Sequence, residues 1–367
     1  MIVFLVGSKK KARIVIKIGT NLLFNDKKII EDNFIKLASS IAGINDHEII
    51  IVSSGAIAIG GEELKISAKH EDDIIRNVCA SLGQNDLMMN FKKNFLIENI
   101  KVGQLLLTHN DISNRETFLQ VRNVIDKMIK HGIIPIINEN DTIKSMHNKF
   151  RDNDQLAIRI ASKIEADLLI ILTNVSGVYT QDPRTSSDAE LLKELRKDDI
   201  KKIRIGKKNG QNSLGGMQSK IESALLCSQL GIPTVIANGN DEDVIRKVID
   251  GFEHGTKFKA DDRIKSKKRW ILLTKEKGEI DIDEGAYNAL KSDKSLLAVG
   301  INSVKGDFLI NDVIAIKANN KIIGKAIIDC SSDILMFIKG KKREDIKKII
   351  KDYASVAKHE NISLIKE

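Results

Sequence analysis

The sequence predicts an α/β protein, built as a three-layer αβα sandwich around a mainly parallel sheet and followed by a small C-terminal β-rich domain. Three observations lead to this prediction. Between Arg13 and about Gly255, short β-branched runs alternate with helix-length amphipathic segments, as in successive βαβ units. The predicted strands are apolar on both faces, so helices must cover both faces of the sheet. From about residue 270 onward, short strands broken by turns replace that rhythm.

The elements follow in order along the chain. The first strand is predicted over 13–18 and the second over 48–54, and the amphipathic helix between them ends at Gly43, as helices often do. Further strands are predicted over 102–108, 132–138, 167–173 and 233–238. A final basic helix is predicted over about 341–358. Because open α/β sheets bind ligands beyond the carboxyl ends of their strands, the chemistry is expected in the loops at those ends.

Four segments are predicted along the chain: a leader of residues 1–12, the α/β domain of residues 13–260, a basic linker of residues 261–269 and the β-rich domain of residues 270–358. The apolar part of the leader is too short for a signal-peptide core, and its lysines follow that part rather than precede it. No apolar run approaches the roughly 18 to 20 residues that cross a bilayer. A cytoplasmic protein without a membrane partner is expected.

The composition excludes several classes of protein. With 42% hydrophobic and 30% charged residues, the 367-residue chain is too apolar for disorder and typical of a folded enzyme. Its three cysteines, Cys79, Cys227 and Cys330, are far apart and lack CxxC spacing, so neither a disulfide framework nor a zinc site is indicated. The seven histidines form no HxxxH pair, and any bound metal is expected to use oxygen ligands.

The net charge of +9 raises the question of a nucleic-acid partner, because phosphate attraction dominates nonspecific binding. Lysine is spread along the whole chain, however, and only 4% of residues are aromatic, which leaves few platforms for stacking bases. Basic runs such as 201–208 and 257–270 are interpreted as solvated loops, and no nucleic-acid partner is expected. The alternative from a different class is an RNA-binding protein that acts through the C-terminal module and its basic linker.

Two strand-to-helix junctions in the first part of the chain suit anionic ligands. The first strand runs into KIGTNL, which places Lys17 at its end and Gly19 at a turn where a phosphate could approach the backbone. The second strand runs into SSGAIAIG, where two hydroxyls and Gly55 lead small residues into a helix start. Free N–H groups and the helix dipole favour anions there. A tight turn that needs small residues would explain each loop equally well.

Two later junctions carry denser polar clusters. The strand that ends in INENDT (137–142) is followed by FRDNDQLA (150–157), whose two Asp and one Asn cannot all cap one helix, so polar recognition or Mg2+ handling is favoured. In SLGGMQSKIESA (213–224), adjacent glycines let the chain pass close to a polyphosphate, and Lys220 projects from the first helical turn. The motifs of P-loop enzymes, Rossmann enzymes and protein kinases do not occur, which excludes those three classes.

Taken in order, these segments resemble the amino acid kinase family, and within it the members that phosphorylate glutamate. The resemblance rests on the motifs KIGTN, VSSGAIAIG, ASLGQ, VGQLL, INEND, DND, LTNVSGVYTQDPR and GGMQSK, which occur in the family's order and spacing. It covers nearly the whole chain from about Arg13, and the C-terminal segment is similar to a PUA domain. The implied architecture is the amino acid kinase fold with a PUA-like domain appended.

The resemblance implies an ATP-dependent phosphotransferase with a carboxyl group as acceptor. It would move the γ-phosphoryl group of ATP onto the γ-carboxylate of L-glutamate, giving γ-glutamyl phosphate in the first step of proline biosynthesis, with ATP and Mg2+ as cofactors. That carboxylate, with a pKa of about 4.3, is ionised at neutral pH and needs no general base. In-line positioning and neutralisation of charge are needed instead. A kinase of the same fold for aspartate, N-acetylglutamate, carbamate or UMP is the alternative.

The resemblance also implies roles for individual residues. Lys17 and Lys220 are expected to contact the ATP phosphates and the transferred phosphoryl group, and Asp152 to orient them as the third catalytic residue. Asp154 would lie near Mg2+. The substrate glutamate would be held by Ser54, Gly55, Asp141 and Asn153. The nucleotide site would be lined by Lys17, Gly19, Thr173, Asn174, Leu214, Gly215, Gly216, Met217, Gln218, Ser219 and Lys220.

The chain departs from the family pattern at three positions. A hydroxyl is missing at Leu214, where the family reads GTGGM, and Asn174 stands where it mostly reads Asp. Arg151 replaces a glycine, which is expected to alter either glutamate affinity or feedback inhibition by proline. Beyond proline, the resemblance implies a homo-oligomer and a transient contact with glutamate-5-semialdehyde dehydrogenase as partners.

Overall fold

The chain divides into two units, Met1–Arg263 and Ile264–Glu367. The computed structural model describes residues 11–25, 27–66, 72–143, 153–196, 199, 214–260, 265–351 and 353–365, with residues 115, 214–216 and 266 described by their backbone alone. Each unit has its own sheet and its own hydrophobic core. Among the described residues, no helix is both long and apolar enough to span a membrane.

The first unit alternates strands and helices, in keeping with the rhythm of its sequence. Its strands are β1 (Ala12–Ile18), β2 (Phe24–Asn25), β3 (Lys28–Ile29), β4 (His47–Val52), β5 (Lys101–Leu107), β6 (Ile133–Glu139), β7 (Leu168–Thr173), β8 (Glu194–Leu195), β9 (Thr234–Asn238) and β10 (Thr256–Phe258). Its helices are α1 (Thr20–Leu23), α2 (Glu31–Ala42), α3 (Ala56–Glu63), α4 (Asp73–Ile97), α5 (His109–Ser113), α6 (Arg115–Lys130), α7 (Asn153–Lys163), α8 (Leu214–Gln229) and α9 (Val244–Ile249).

Eight of these strands form one sheet in the order β5-β6-β4-β1-β7-β9-β10-β8. The first six in this order run parallel to their neighbours, and β10 runs antiparallel to β9. The predicted mainly parallel sheet is therefore confirmed. Strand β1 lies between β4 and β7, where Ile16 pairs with Ile51 and with Ile170. The segment that follows β1 therefore lies near the middle of the edge formed by the carboxyl ends of the strands.

Helices cover both faces of β1. Ile16 and Ile18 point to one face and share a core with Phe34 of α2 and Phe91 of α4, whose rings meet edge to face at 4.9 Å between centroids. Because successive side chains of a strand alternate between faces, Lys17 points to the opposite face, where α7 packs. The sheet is thus the middle of three layers, as predicted, and this alternation directs the charged end of Lys17 toward α7.

Helices α3 and α4 contact each other through glycines. A Cβ atom on Gly60 would lie 1.9 Å from the carbonyl oxygen of Cys79, and one on Gly83 would lie 2.1 Å from that of Ala56. Neither approach is possible for a real side chain, so the absence of Cβ at both positions allows the two helices to pack this closely. The contact holds the start of α3, and with it the loop after β4, against the middle of α4.

The second unit is the predicted β-rich domain. Its strands are β11 (Gly278–Ile282), β12 (Ile301–Gly306), β13 (Val313–Ala318), β14 (Lys321–Ile327) and β15 (Ile362–Leu364). They form one sheet in the order β12-β11-β13-β14-β15. Its helices are α10 (Ser266–Leu273), α11 (Glu284–Lys291), α12 (Ser332–Ile338) and α13 (Arg343–Lys347). The core contains Ile280, Ile316, Leu335 and Ile346, all fully buried.

The sequence-based prediction for the end of this unit is wrong in one respect. The basic helix predicted over about 341–358 is reduced to α13. Beyond it, Leu296 pairs with Ala357 in an antiparallel bridge, and the backbone N–H of Ala298 donates a hydrogen bond to the Tyr353 hydroxyl at 3.0 Å. These contacts hold the segment after α13 on the core in a non-helical conformation, and a continuous helix would lose them.

Candidate active site

The carboxyl ends of the parallel strands β1, β4, β6 and β7 lie side by side at one edge of the first sheet. Several of the predicted site residues follow these ends. Gly19 comes after β1, Ser54 and Gly55 after β4, and Asp141 after β6, while Thr173 is the last residue of β7. The parallel topology therefore gathers segments that are far apart in sequence, and this edge is where open α/β sheets bind ligands.

Two lysines from different elements meet on one carboxylate at this edge. Lys17 Nζ lies 2.7 Å from Oδ1 of Asp154, and Lys220 Nζ lies 2.8 Å from Oδ2 of the same residue. The side chains of Asp154 and Lys17 are 1% and 5% exposed, and that of Lys220 is 16% exposed. The cluster forms because Lys17 points toward α7, Asp154 lies in the first turn of α7, and α7 packs beside α8, which carries Lys220.

Burial and pairing together set the charge of this cluster. Burial acts to raise the pKa of Asp154, but the charges and hydrogen bonds of Lys17 and Lys220 outweigh it and hold that pKa below its ordinary value. The carboxylate is therefore ionised at neutral pH. Two ammonium groups around one carboxylate leave a net positive charge in a largely buried position, which attracts a polyphosphate.

The position of Asp154 differs from the role predicted for it. The family resemblance implies that Asp152, which lies outside the described residues, orients the lysines and that Asp154 lies near Mg2+. Here Asp154 makes both lysine contacts itself. With an ammonium group on each oxygen, it does not fit the role of a Mg2+ ligand, and the described residues contain no group of three or more His, Cys, Asp or Glu suited to a metal.

Asn153, the residue before Asp154, is held by hydrogen bonds from its amide nitrogen. Its Nδ2 donates to the carbonyl oxygen of Ser53 at 2.5 Å and to Oδ1 of Asn138 at 2.8 Å. Asn138 Nδ2 donates in turn to Oε1 of Gln84 at 2.7 Å. Three polar side chains from α4, β6 and α7 are thus linked directly beside the lysine cluster.

The loop after β4 lies against this amide row. The Ser53 N–H donates to the carbonyl oxygen of Ile137 at 2.8 Å, which extends the pairing of β4 with β6. Ser54 is 8% exposed, and Gly55 has a φ of +116°, a conformation that side-chain-bearing residues rarely adopt. The glycine therefore has a backbone reason to stand at the start of α3. Ser54 is the residue after Ser53, whose carbonyl oxygen accepts the hydrogen bond from Asn153.

The predicted acceptor-binding residue Asp141 lies farther along the same edge. It begins a short 3-10 turn after β6 and is half-buried. The side-chain amide of Asn77 in α4, oriented to satisfy both of its contacts, donates to the Asp141 carbonyl oxygen at 2.7 Å. Helix α4 therefore supports this turn as well as the amide row.

Gly19 and Thr173, predicted for the nucleotide side, flank the lysine cluster. The N–H of Gly19 donates to the carbonyl oxygen of Leu172 at 3.2 Å, so it continues the pairing of β1 with β7. A Cβ atom on Gly19 would lie 4.0 Å from the ammonium nitrogen of Lys17, an ordinary contact distance, so the turn after β1 lies beside that group. Thr173 is buried, and Asn174 beyond it is exposed.

The predicted glycine-rich loop of residues 214–220 is helical in the structure. Leu214, Gly215 and Gly216 start α8, so Lys220 lies in its second turn rather than its first. Met217 and Ser219 are half-buried, and the exposed Gln218 donates to Glu222 at 3.0 Å along the helix. This helical phase directs Lys220 toward Asp154.

Sequence reasoning missed two members of the site. Gln84 and Asn138 lie in the motifs ASLGQ and INEND, but these motifs alone predict no role for either side chain. Both side chains are buried. They are hydrogen-bonded to each other across 54 positions of sequence, and Asn138 is also hydrogen-bonded to Asn153. The available signal was a polar side chain on the buried face of a helix and another at the end of an apolar strand, where burial requires a partner.

Comparison with known proteins gives the same architecture. Residues 12–238 match the amino acid kinase family, and residues 278–350 match the PUA domain. The glutamate 5-kinase of Methanosarcina mazei is 38% identical over 97% of this chain and 96% of its own length. That of Methanococcoides burtonii is 37% identical over 99% of this chain and 98% of its own. That of Shewanella oneidensis is 35% identical over 95% and 96% respectively.

The fold, the paired lysines and these relatives define a kinase, an enzyme that transfers a phosphoryl group. The chain belongs to the glutamate 5-kinase branch of the amino acid kinase family. The resemblance predicted from the sequence motifs is therefore confirmed, as is the PUA domain at the C-terminal end.

Proposed function

We propose that this chain transfers the γ-phosphoryl group of ATP to the γ-carboxylate of L-glutamate, forming γ-glutamyl phosphate. The observation that carries the proposal is the meeting of Lys17 and Lys220 on the buried carboxylate of Asp154, with Asn153 next to it. The curated relatives, which are named glutamate 5-kinases over nearly their full length, support the choice of acceptor.

The chemistry proposed for the site needs positive charge rather than a base. A γ-carboxylate oxygen forms a bond to the γ-phosphorus while the bond from that phosphorus to the ADP oxygen breaks. The acceptor is already ionised, so no proton has to be removed. Lys17 and Lys220 would offset the charge on the transferred oxygens and on the departing ADP, and Asp154 would hold both ammonium groups in place beforehand.

The remaining site residues have proposed roles that follow their positions. Ser54, Gly55, Asp141 and Asn153 would bind L-glutamate at the edge formed by β4, β6 and α7. Gly19, Thr173, Asn174 and residues 214–220 would line the nucleotide. The catalytic domain is proposed to span residues 13–260, joined by residues 261–269 to a PUA-like domain of residues 270–358.

The wider setting is proposed from the relatives' names. The reaction would open proline biosynthesis in the cytoplasm, with proline as a feedback inhibitor and with a homo-oligomer as the working form. The acyl phosphate product is reactive, so transfer to glutamate-5-semialdehyde dehydrogenase through a transient contact is also proposed.

An acceptor panel tests the function directly. ADP release is measured with L-glutamate, L-aspartate, N-acetylglutamate, carbamate and UMP at equal concentrations, and hydroxylamine is added to trap any acyl phosphate as a hydroxamate. We expect ADP release and hydroxamate with L-glutamate well above those with the other acceptors. A higher rate with another acceptor, or ADP release without hydroxamate, would contradict the proposed reaction.

A further inference from the structure

The row of amides beside the lysine cluster has a fixed direction. It consists of Gln84 in α4, Asn138 in β6 and Asn153 in α7, joined by hydrogen bonds of 2.7 and 2.8 Å. Asn138 and Gln84 are 2% and 9% exposed. A buried amide can turn either its oxygen or its nitrogen to a neighbour, so the direction of the row decides what each end offers.

Backbone groups determine that direction. The Ser53 carbonyl oxygen can only accept, so Asn153 must turn its Nδ2 toward it. The N–H of Glu139 can only donate, and it donates to Asn138 Oδ1 at 2.9 Å. Asn138 therefore turns its Nδ2 toward Gln84, where it needs an acceptor, and Gln84 Oε1 supplies one.

Two atoms of the row have no hydrogen-bond partner among the described residues: Asn153 Oδ1 at one end and Gln84 Nε2 at the other. Both hydrogens of the Asn153 amide are used, and within the described part of the chain its Oδ1 accepts no hydrogen bond. Asn153 therefore offers an acceptor, and no donor, to whatever binds beside Asp154. A ligand group that carries hydrogens and positive charge, such as the α-ammonium group of an amino acid, complements that oxygen.

At the other end of the row, the Gln84 amide has a donor that is unpaired within the described ranges and destabilises the fold. Gln84 Nε2 is buried and has no acceptor among the described residues. A buried unpaired donor destabilises a protein, and an apolar side chain of the same length would avoid it. The oxygen of the same amide gives the glutamine a reason to be there, because it accepts from Asn138.

We propose that Gln84 is a positioning residue for the acceptor site: it holds the Asn138 amide so that Asn153 presents its oxygen to the α-ammonium group of the substrate. This inference rests on the proposed function. Removal of the Gln84 oxygen leaves Asn138 Nδ2 without its acceptor, so the Asn138 amide is held at its oxygen alone. Its contact with Asn153 then loosens, while the Ser53 carbonyl still binds the other hydrogen of the Asn153 amide.

The test compares Gln84→Met with the wild type and with Asn85→Met, an exposed neighbour on the same helix. We measure the KM for L-glutamate and for ATP, kcat, the thermal midpoint, and the Ki of glutarate, which has both carboxylates but no ammonium group. For Gln84→Met we expect a KM for L-glutamate raised about tenfold, with the KM for ATP and the Ki of glutarate within about twofold of wild type. Asn85→Met should match the wild type.

Gln84→Glu supplies the conservative variant, because its carboxylate retains an oxygen that accepts from Asn138. Its KM for L-glutamate should rise less than that of Gln84→Met. If Gln84→Met shows no thermal transition, Gln84→Leu takes its place with the same expected values.

Three results would overturn the inference. The first is an unchanged KM for L-glutamate in Gln84→Met. The second is a parallel rise in this KM and in the glutarate Ki, as a merely structural role would produce. The third is a KM for L-glutamate in Gln84→Glu that is as high as in Gln84→Met. A wild-type chain without glutamate-dependent ADP release would overturn the proposed function and this inference together. An active wild type with an unaffected Gln84→Met would overturn the inference alone.

Discussion

At the residue scale, the cluster of Lys17, Asp154 and Lys220 combines stability and function in three side chains. Each charge is nearly or largely removed from water, so each depends on the other two for compensation. The arrangement also leaves one positive charge in excess, available to an anionic ligand. Removal of a lysine and removal of the carboxylate should therefore have different consequences.

Lys17→Ala and Lys220→Ala should each lower kcat by about a hundredfold or more, because each removes a preorganised group that offsets charge on the transferred phosphoryl oxygens. The fold should survive, since Asp154 keeps one lysine partner in either variant. Steady-state ADP release and a thermal melt check both expectations. Lys92→Ala, at an exposed position of α4, is the matched control. Near-wild-type turnover in both variants would contradict the assignment.

Asp154→Asn should lower the free energy of unfolding at pH 7 by about 3 to 5 kcal/mol, because two ammonium groups lose their counter-charge in a buried position. The pKa of Asp154 is lowered in the folded state, so its contribution is present above the unfolded value of about 3.9 and is lost as pH falls through the lower folded value.

The difference between wild type and Asp154→Asn should consequently stay constant from about pH 5 to 8 and shrink below about pH 4. Urea denaturation across this range measures it. Asp46→Asn, whose side chain is 81% exposed in the wild type, serves as the control and should show no such loss. A difference that grows as pH falls would contradict the pairing.

At the element scale, the site depends on how helices meet the edge of the sheet. Helix α4 touches α3 through Gly60 and Gly83, carries Gln84 and supports the turn at Asp141. The close glycine contact sets the distance between the loop after β4 and the amide row. A side chain inserted there would therefore disturb both the packing and the acceptor site.

Gly60→Ala and Gly83→Ala should each destabilise the chain by about 1 to 3 kcal/mol or more, because the new Cβ would meet backbone atoms that cannot easily move. Both should also raise the KM for L-glutamate more than that for ATP. Chemical denaturation and steady-state kinetics measure these effects.

Gly285→Ala is the matched control, since a Cβ there would lie 3.4 Å from its nearest neighbour, an ordinary contact. This variant should have a free energy of unfolding equal to or slightly higher than that of the wild type, because alanine has a higher helix propensity than glycine. Equal stability in all three variants would show that α3 and α4 have room to move apart.

At the scale of the whole molecule, the chain divides into two units. Each has a buried cluster of its own, and every described residue proposed for the site lies in the first unit. The PUA match falls entirely in the second unit. Catalysis should therefore not require residues beyond the first unit.

A chain that ends at Arg263 should fold and keep its kcat and its KM for L-glutamate within about threefold of the full chain. Circular dichroism and ADP release check this, with residues 264–367 expressed separately as a folded, inactive control. A truncated chain that folds but has lost activity would show that the second unit contributes to the site.

Much of the fold could be predicted from the sequence, because its signals are local. Apolar periodicity placed the strands, and the lack of a polar face on them required three layers. The predicted helix over 341–358 failed because tertiary pairing between Leu296 and Ala357 outweighs local propensity.

The sequence alone determined the family, the sheet edge that bears the chemistry and the two lysines of the site. Only the tertiary structure decided that both lysines meet Asp154, because that contact depends on how β1, α7 and α8 pack together. The amide row was equally out of reach, since its bonds join residues 54 and 100 positions apart along the chain. Residue order specifies local periodicity, whereas helix phase and long-range contact arise from packing.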